Sequence, residues 1–236
     1  MSMLKIRSDE PELMDDPKVD KKLLQKNLEE LDVLNRYFGG NSVTLHGVRK
    51  LIDRSGIYNI TDLGCGSGET LRYIARWARR NKYKLKLVGI DMNVHAIQHL
   101  KRNSVGFPEI SGMLTDYSEY MHSVSNVDVY ICSLFCHHLN DEQLRDLFRH
   151  LKKARTGFVI NDLQRSWLAY YSAWAFTRLF NGTMLSKNDG PLSVLKAFTR
   201  KELEHLLRDA GIEHYTIEWK WAFRYRIVVK TSVYRK

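Results

Sequence analysis

Proline is scarce, four in 236 residues, and no tract is of low complexity, so long linkers or disordered regions are not expected. Cysteine is scarcer still. Cys65, Cys132 and Cys136 are odd in number and lie in or beside apolar segments, which excludes a disulfide framework and points to reduced thiols in the cytoplasm. No apolar run approaches the roughly 18 residues that a membrane span needs, so no transmembrane segment is expected. The leading MSMLKIRSDEPELMDDP has no apolar core and does not read as a secretory signal. What is present is a chain with 44% hydrophobic residues, enough to build one core with a small appendage. Lys and Arg number 37 against 27 Asp and Glu, a formal charge of +10. Such an excess suits nucleic acid or an anionic surface. The basic residues are scattered, however, with one denser stretch between Arg72 and Lys86. No appended RNA-binding module is visible, so nucleic acid is the disfavoured partner.

The order of elements predicts an α/β fold. Asp16-Pro17 reads as a cap followed by proline at the first helical position. Leu24, Leu28, Leu31, Leu34 and Phe38 follow at helical spacing until Gly39-Gly40. Ser42 is expected to cap a second helix through Ile52. Strands are predicted at 58–63, 85–90, 109–113, 127–133 and 157–163. Helices are predicted at about 69–80, 94–102 and 141–153 between them. This alternation means a parallel sheet covered on both faces. It breaks after Asp162. Residues 166–180 read as an aromatic helix, 181–190 as a polar loop, and Thr199 with Glu202 as the capping box of a last helix. The strands 213–219 and 224–231 lie too close for a crossover and must pair antiparallel. Residues 1–56 are thus read as a helical N-terminal extension. Residues 57–236 are read as the α/β domain, with a helical lid insertion at about 164–198.

The strongest local feature is Asp62-Leu63-Gly64-Cys65-Gly66-Ser67-Gly68 at a strand-to-helix turn. Glycines permit positive φ and let a ligand lie against bare backbone. The helix start beyond them offers unpaired N–H groups. The next strand ends at Asp91, 23 residues past Gly68, where a carboxylate can accept ribose hydroxyls. Glu69 occupies the position where a dinucleotide fingerprint needs a small residue, and no Walker lysine follows the turn.

TDLGCGSG, then LVGIDMN, then Asp116, then DVYICSLFCHHL together resemble the ordered motifs of the class I S-adenosylmethionine-dependent methyltransferases, over about residues 58–163. The resemblance implies a doubly wound, Rossmann-like sheet of seven strands with an antiparallel last strand. It also implies S-adenosylmethionine as methyl donor and S-adenosylhomocysteine as product. Gly64, Cys65 and Gly66 would line the methionine moiety, and Asp62 would face its ammonium. Asp91 would hold the ribose, with Met92 on the adenine. Asp116 would meet the adenine amino group, with Tyr117 beside it. Ser133 and Leu134 would lie beside the sulfonium. Arg36, in LNRYFGG, is the candidate partner for the cofactor's carboxylate; a surface arginine at a helix end is the plainer reading.

His137 and His138 follow the fourth strand at the sheet edge where ligands bind, and a histidine suits deprotonation of a phenol. The alternative is that they shape the cofactor pocket. Trp167, Tyr170, Tyr171 and Trp174 form one helical stripe placed where a lid would sit, and an aromatic lid suits a flat or lipophilic acceptor. Arg165 and Arg178 are candidates to neutralise an acidic group on it. No metal is expected, and the oligomeric state is open. The expectation is methylation of a small aromatic or lipophilic acceptor, with O-methylation favoured. C-methylation of a quinone-like ring, RNA methylation and a non-catalytic cofactor-binding scaffold are the alternatives.

Overall fold

The computed structural model describes residues 4–16 and 18–231. Seven strands form one sheet: β1 (Ile57–Leu63), β2 (Lys84–Asp91), β3 (Ile110–Leu114), β4 (Val129–Ser133), β5 (Gly157–Leu163), β6 (Tyr215–Lys220) and β7 (Arg224–Lys230). Their spatial order is β3-β2-β1-β4-β5-β7-β6. β1 to β5 run parallel, and β7 slots antiparallel between β5 and β6. The doubly wound, seven-stranded architecture expected from the sequence is the one observed.

The two faces of the sheet bury separate cores. Ile60, Ile131, Val159 and Val228 face one side, under α2 (Gly40–Val48), α3 (Glu69–Arg80) and α4 (Val94–Asn103). Leu63, Cys132, Phe158, Ile160 and Ile227 face the other, under α5 (Tyr117–Ser123), α6 (Asp141–Leu151) and α9 (Arg200–Asp209). Side chains alternate along a strand. Asp62, Ser133, Asn161, Arg224 and Arg226 therefore share the α2 side, whereas Asp162 shares the α6 side.

Local chemistry accounts for most element ends. Asp116 caps α5 by accepting from Ser118 and Glu119, and Asn140 closes a capping box with Gln143 at α6. The Thr199–Glu202 box opens α9 as the sequence indicated.

Four sequence expectations need correction. The first helix, α1 (Lys21–Tyr37), starts on Asp20, whose side chain accepts from Leu23, and not on Asp16; Pro17 lies outside the described residues. α2 begins at Gly40 behind Gly39 in the left-handed conformation, so Ser42 sits inside it. A short α5 follows β3 where only Asp116 drew notice. The stretch 181–190 is no loop. α8 (Met184–Lys196) runs through it behind α7 (Trp167–Leu179), capped by Thr183 and carrying Pro191. Burial of Leu185, Leu192 and Val194 overrides its poor helix propensity. Its Asp189 accepts from the backbone of Leu13 and Met14, and its Ser186 bonds Asn27 of α1.

α2 is pressed onto the sheet at Gly47, where a Cβ would stand 2.6 Å from Val159 Cγ1. Valine is stiff and cannot turn away. Gly47→Ala should therefore cost about 1–3 kcal/mol through overpacking. Urea unfolding would read this as a lower midpoint at unchanged slope; an unshifted midpoint would mean that α2 does not bear on the strand this closely.

Candidate active site

The glycine turn leaves β1 with Gly64, Gly66 and Gly68 all at positive φ (67°, 51° and 77°). It is held from β2: Cys65 N–H reaches the Ile90 carbonyl at 3.0 Å, and Gly66 N–H reaches Asp91 Oδ2 at 2.9 Å. The other Asp91 oxygen accepts from Asn93 N–H at 2.8 Å. A Cβ on Gly66 would have only Leu28 near it, at 4.0 Å, so the backbone there lies bare. A Cβ on Gly64 would strike the Phe135 ring at 2.3 Å. Phe135 also meets Tyr117 edge-on at 5.2 Å.

Two carboxyls crowd this turn. Asp62 is fully buried, and its Oδ1 has no hydrogen-bond partner among the described residues. Burial, and then the neighbouring charge of Asp91, push its carboxyl well above the usual range. Burial also raises Asp91, against the two backbone N–H groups that stabilise its charge. Such a carboxyl rests most easily in its neutral form, and a cation placed beside it would favour its ionised one. The sulfonium and ammonium of S-adenosylmethionine are such cations, and bare Gly66 leaves the cofactor room. The residues fit the group. Met92 is exposed beside them, and Cys65 is a buried free thiol whose pKa burial raises. Asp116 spends one oxygen on capping α5. Burial pushes the Tyr117 phenol up to about 12.

α1 lies across this turn. Ser67 Oγ donates to Asp32, and Arg36 pairs with Glu69 at 3.2 Å. Glu69 also binds Arg72 and Arg76, each at 3.0 Å. Burial works against its charge, but Arg72 and Arg76 outweigh it and hold the carboxyl below its ordinary range. The sequence reading used Glu69 only to exclude a dinucleotide fingerprint. Its signal was the i, i+3, i+7 spacing of Glu69, Arg72 and Arg76 on one helix.

At the neighbouring strand end, Ser133 closes β4, and Leu134 follows in the left-handed region (φ 54°), a strained conformation of the kind that gathers at functional sites. Ser133 Oγ lies 3.2 Å from Thr44 Oγ1. Asn161 Nδ2 donates to Thr44 Oγ1 and to the Gly40 carbonyl, both at 2.9 Å. Arg224, which the sequence reading passed over, stands beside them. A buried strand reading Arg-Tyr-Arg at 224–226 was the available signal.

The two histidines lie on the opposite side of the sheet edge. His137 Nδ1 is 2.6 Å from Asp162 Oδ1, with both side chains buried. A strap formed by the N-terminal residues covers the pair. Glu12 Oε1 stands 3.7 Å from His137 Nε2 and 3.8 Å from His138 Nδ1, and Asp15 Oδ2 binds His138 Nδ1 at 3.0 Å. Lys196 Nζ is 3.6 Å from the same Glu12 oxygen, so that carboxylate already has a cation. Arg7 ties the strap to the Leu139 carbonyl and to Asp141.

The aromatic stripe of α7 divides. Trp167, Tyr171 and Trp174 are 64%, 60% and 45% exposed, and Tyr170 is half-buried. Phe176 instead turns inward and meets Phe38 at 5.1 Å. Arg165 is buried against Glu202 and the carbonyls of Leu4 and Ala197, and Arg178 lies over Trp174. Both arginines are thus occupied away from the Ser133 region.

Residues 60–155 match the family model described as a methyltransferase domain. No match was found among curated proteins. Among solved structures, the plantazolicin methyltransferase BpumL in complex with S-adenosylhomocysteine is similar over 92% of this chain and 91% of that one, with a TM-score of 0.66 and 17% identity. Human N-acetylserotonin methyltransferase in complex with S-adenosylmethionine is similar over 89% of this chain and 56% of that one, with a TM-score of 0.59 and 15% identity. At these identities the structural likeness is one of fold. Among the described residues, no helix is long and apolar enough to cross a membrane.

The strap's contacts titrate. Burial works against protonation of His138, but its bond to Asp15 and the charge of Glu12 raise its pKa. Its contribution is therefore whole below about pH 6.5 and is lost as pH rises through the raised value. Asp15 and Asp162 are both resisted by burial and lowered by their histidines, so theirs is lost only as pH falls below about 4. His138→Gln should lower the melting temperature clearly near pH 5.5 and little at pH 8.5. An equal loss at both would refute the His138–Asp15 contact.

Proposed function

We propose, from the premise that this chain is a class I S-adenosylmethionine-dependent methyltransferase, that it transfers the methyl group to a small aromatic or lipophilic acceptor, O-methylation being favoured. The observation that carries the donor side is the buried Asp62 carboxyl, its Oδ1 unpartnered among the described residues, beside Asp91 at a bare glycine backbone. When bound, the cofactor supplies an activated methyl group on a sulfonium. Held by the glycine turn, Asp62 and Asp91, it would supply that methyl to the acceptor oxygen, whose proton would pass to a base of the protein. The protein has mainly to align the partners.

Each residue has a part in this reading. Gly64, Cys65 and Gly66 face the methionine moiety, and Asp62 its ammonium. Asp91 holds the ribose, and Met92, Asp116 and Tyr117 border the adenine. Arg36 turns from Glu69 to the cofactor's carboxylate; Glu69 keeps Arg72 and Arg76 when it does. The Ser133 carbonyl faces the reacting sulfur. His137 and His138 serve as base only with the strap displaced, since the seated strap sets carboxylates against both. Tyr170 and Phe176 wall the acceptor, and the exposed Trp167, Tyr171 and Trp174 close over it only if α7 tilts inward. Buried free cysteines accord with a cytoplasmic enzyme.

S-adenosylhomocysteine at 100 times its Kd should stabilise the protein by about 2.7 kcal/mol, read as a rise in melting temperature. Asp91→Ala should remove most of that rise; an unshifted wild-type protein at millimolar ligand would sink the donor reading. For the acceptor, methyl-tritiated cofactor is incubated with the enzyme and a fractionated cell extract. Label in the organic phase is expected. Label in RNA would favour nucleic-acid methylation, and label nowhere a scaffold.

A further inference from the structure

Arg224 is 5% exposed, and its guanidinium is short of acceptors. Nη2 donates to Asn35 Oδ1 at 3.1 Å, while Nε and Nη1 have no hydrogen-bond partner among the described residues. Burial draws its pKa down to about 10, with only Asp162's charge acting the other way, so the group stays cationic at neutral pH. No carboxylate pairs with it among the described residues, and Asp162 is committed to His137. A desolvated, unpaired cation is costly to a fold. The backbone that delivers it is strained as well. Ala222 and Phe223, neither of them glycine, both hold positive φ (57° and 55°) at the hairpin tip just before it. Asn161 Oδ1, on the adjacent strand and the same face, is also buried without a partner.

We propose that Arg224 receives an acidic group of the methyl acceptor, making the preferred acceptors aromatic carboxylates. This rests on the methyl-transfer reading and narrows it. Three placements support the assignment. Arg224 opens β7 at the same sheet edge as Ser133 and Asn161, where the acceptor must lie. Its head abuts Gly40 and Asn35, and the chain between those residues carries Phe38, which packs on Phe176 of α7. One junction therefore presents a guanidinium and an aromatic wall. The third placement separates it from the cofactor. Asp62 lies in β1, three strands from β7, about 14 Å at the usual strand spacing. Ammonium and carboxylate of an amino acid share one carbon, so an ammonium held at Asp62 keeps its carboxylate near the glycine turn and Arg36.

Calorimetry on the whole chain tests this with S-adenosylhomocysteine present at saturation. The probes are 4-hydroxybenzoate, salicylate and 4-hydroxycinnamate, each against its primary amide. At least one acid should bind the wild type tenfold or more tightly than its amide, and Arg224→Gln should erase that preference while changing S-adenosylhomocysteine affinity less than twofold. Equal binding of every acid and amide would overturn the proposal. So would a tenfold loss of S-adenosylhomocysteine affinity in Arg224→Gln, which would assign the arginine to the cofactor's own carboxylate. A wild type that binds no S-adenosylhomocysteine would defeat the donor reading first and this one with it. Without ligand, Arg224→Met should melt about 2–4 °C higher than wild type, because a cation kept for a ligand is a burden to the empty fold. A lower melting temperature would mark the arginine as structural.

Discussion

The Asp62 carboxyl is buried at the end of β1 with its Oδ1 unpartnered among the described residues, and the glycine turn is built around it. Burial and the neighbouring charge of Asp91 make Asp62 hard to ionise, so a cation beside it would stabilise its charged form. The glycine turn keeps side chains out of the space, and the Asp91 carboxylate ties Gly66 to β2. Behind the turn, Glu69 gathers Arg36, Arg72 and Arg76. Negative charge thus faces the ligand side, and its compensation is stored one helical turn away.

The end of α1 joins the glycine turn to the Arg224 end of β7. Asp32 and Arg36 reach the glycine turn and its helix, whereas Asn35 and Phe38 reach Arg224 and α7. Both sets of contacts leave the last two turns of α1 and its C-cap. A shift of that helix end cannot loosen one set without disturbing the other. α8 holds the helix farther back, through Asn27 to Ser186 and through Thr183 N–H to Glu30. Its Asp189 also anchors the strap over the histidines.

Much of this was legible in the chain, and the reasons differ by element. The succession of strands and helices, the glycine turn and the Thr199–Glu202 box are written in neighbouring residues, so sequence alone could find them. α8 was missed because Asn, Asp, Gly, Ser and Pro speak locally for a loop, while its stability comes from packing against residues such as Asn27, which bonds its Ser186 from 159 positions away. Separation of the same order hid the strap: nothing in PELMDD announces that Glu12 and Asp15 will meet histidines at 137 and 138. Arg224 was overlooked because an arginine in a strand reads as surface. Only the sheet order, which places β7 inside the sheet, reveals that it is covered.

That sheet order also governs how the molecule can assemble. β6 has no hydrogen-bonded neighbour except β7, so it cannot join the sheet on its own even though it comes first in the chain. The two strands must form their hairpin and dock against β5 as one body, or β7 must dock first and recruit β6 afterwards. Either way the hairpin turns through the left-handed corner at Ala222 and Phe223. Damage there would not trim one strand from an edge. It would withdraw both strands in a single step and take with them the wall against which the Ser133–Asn161 side of the pocket is built.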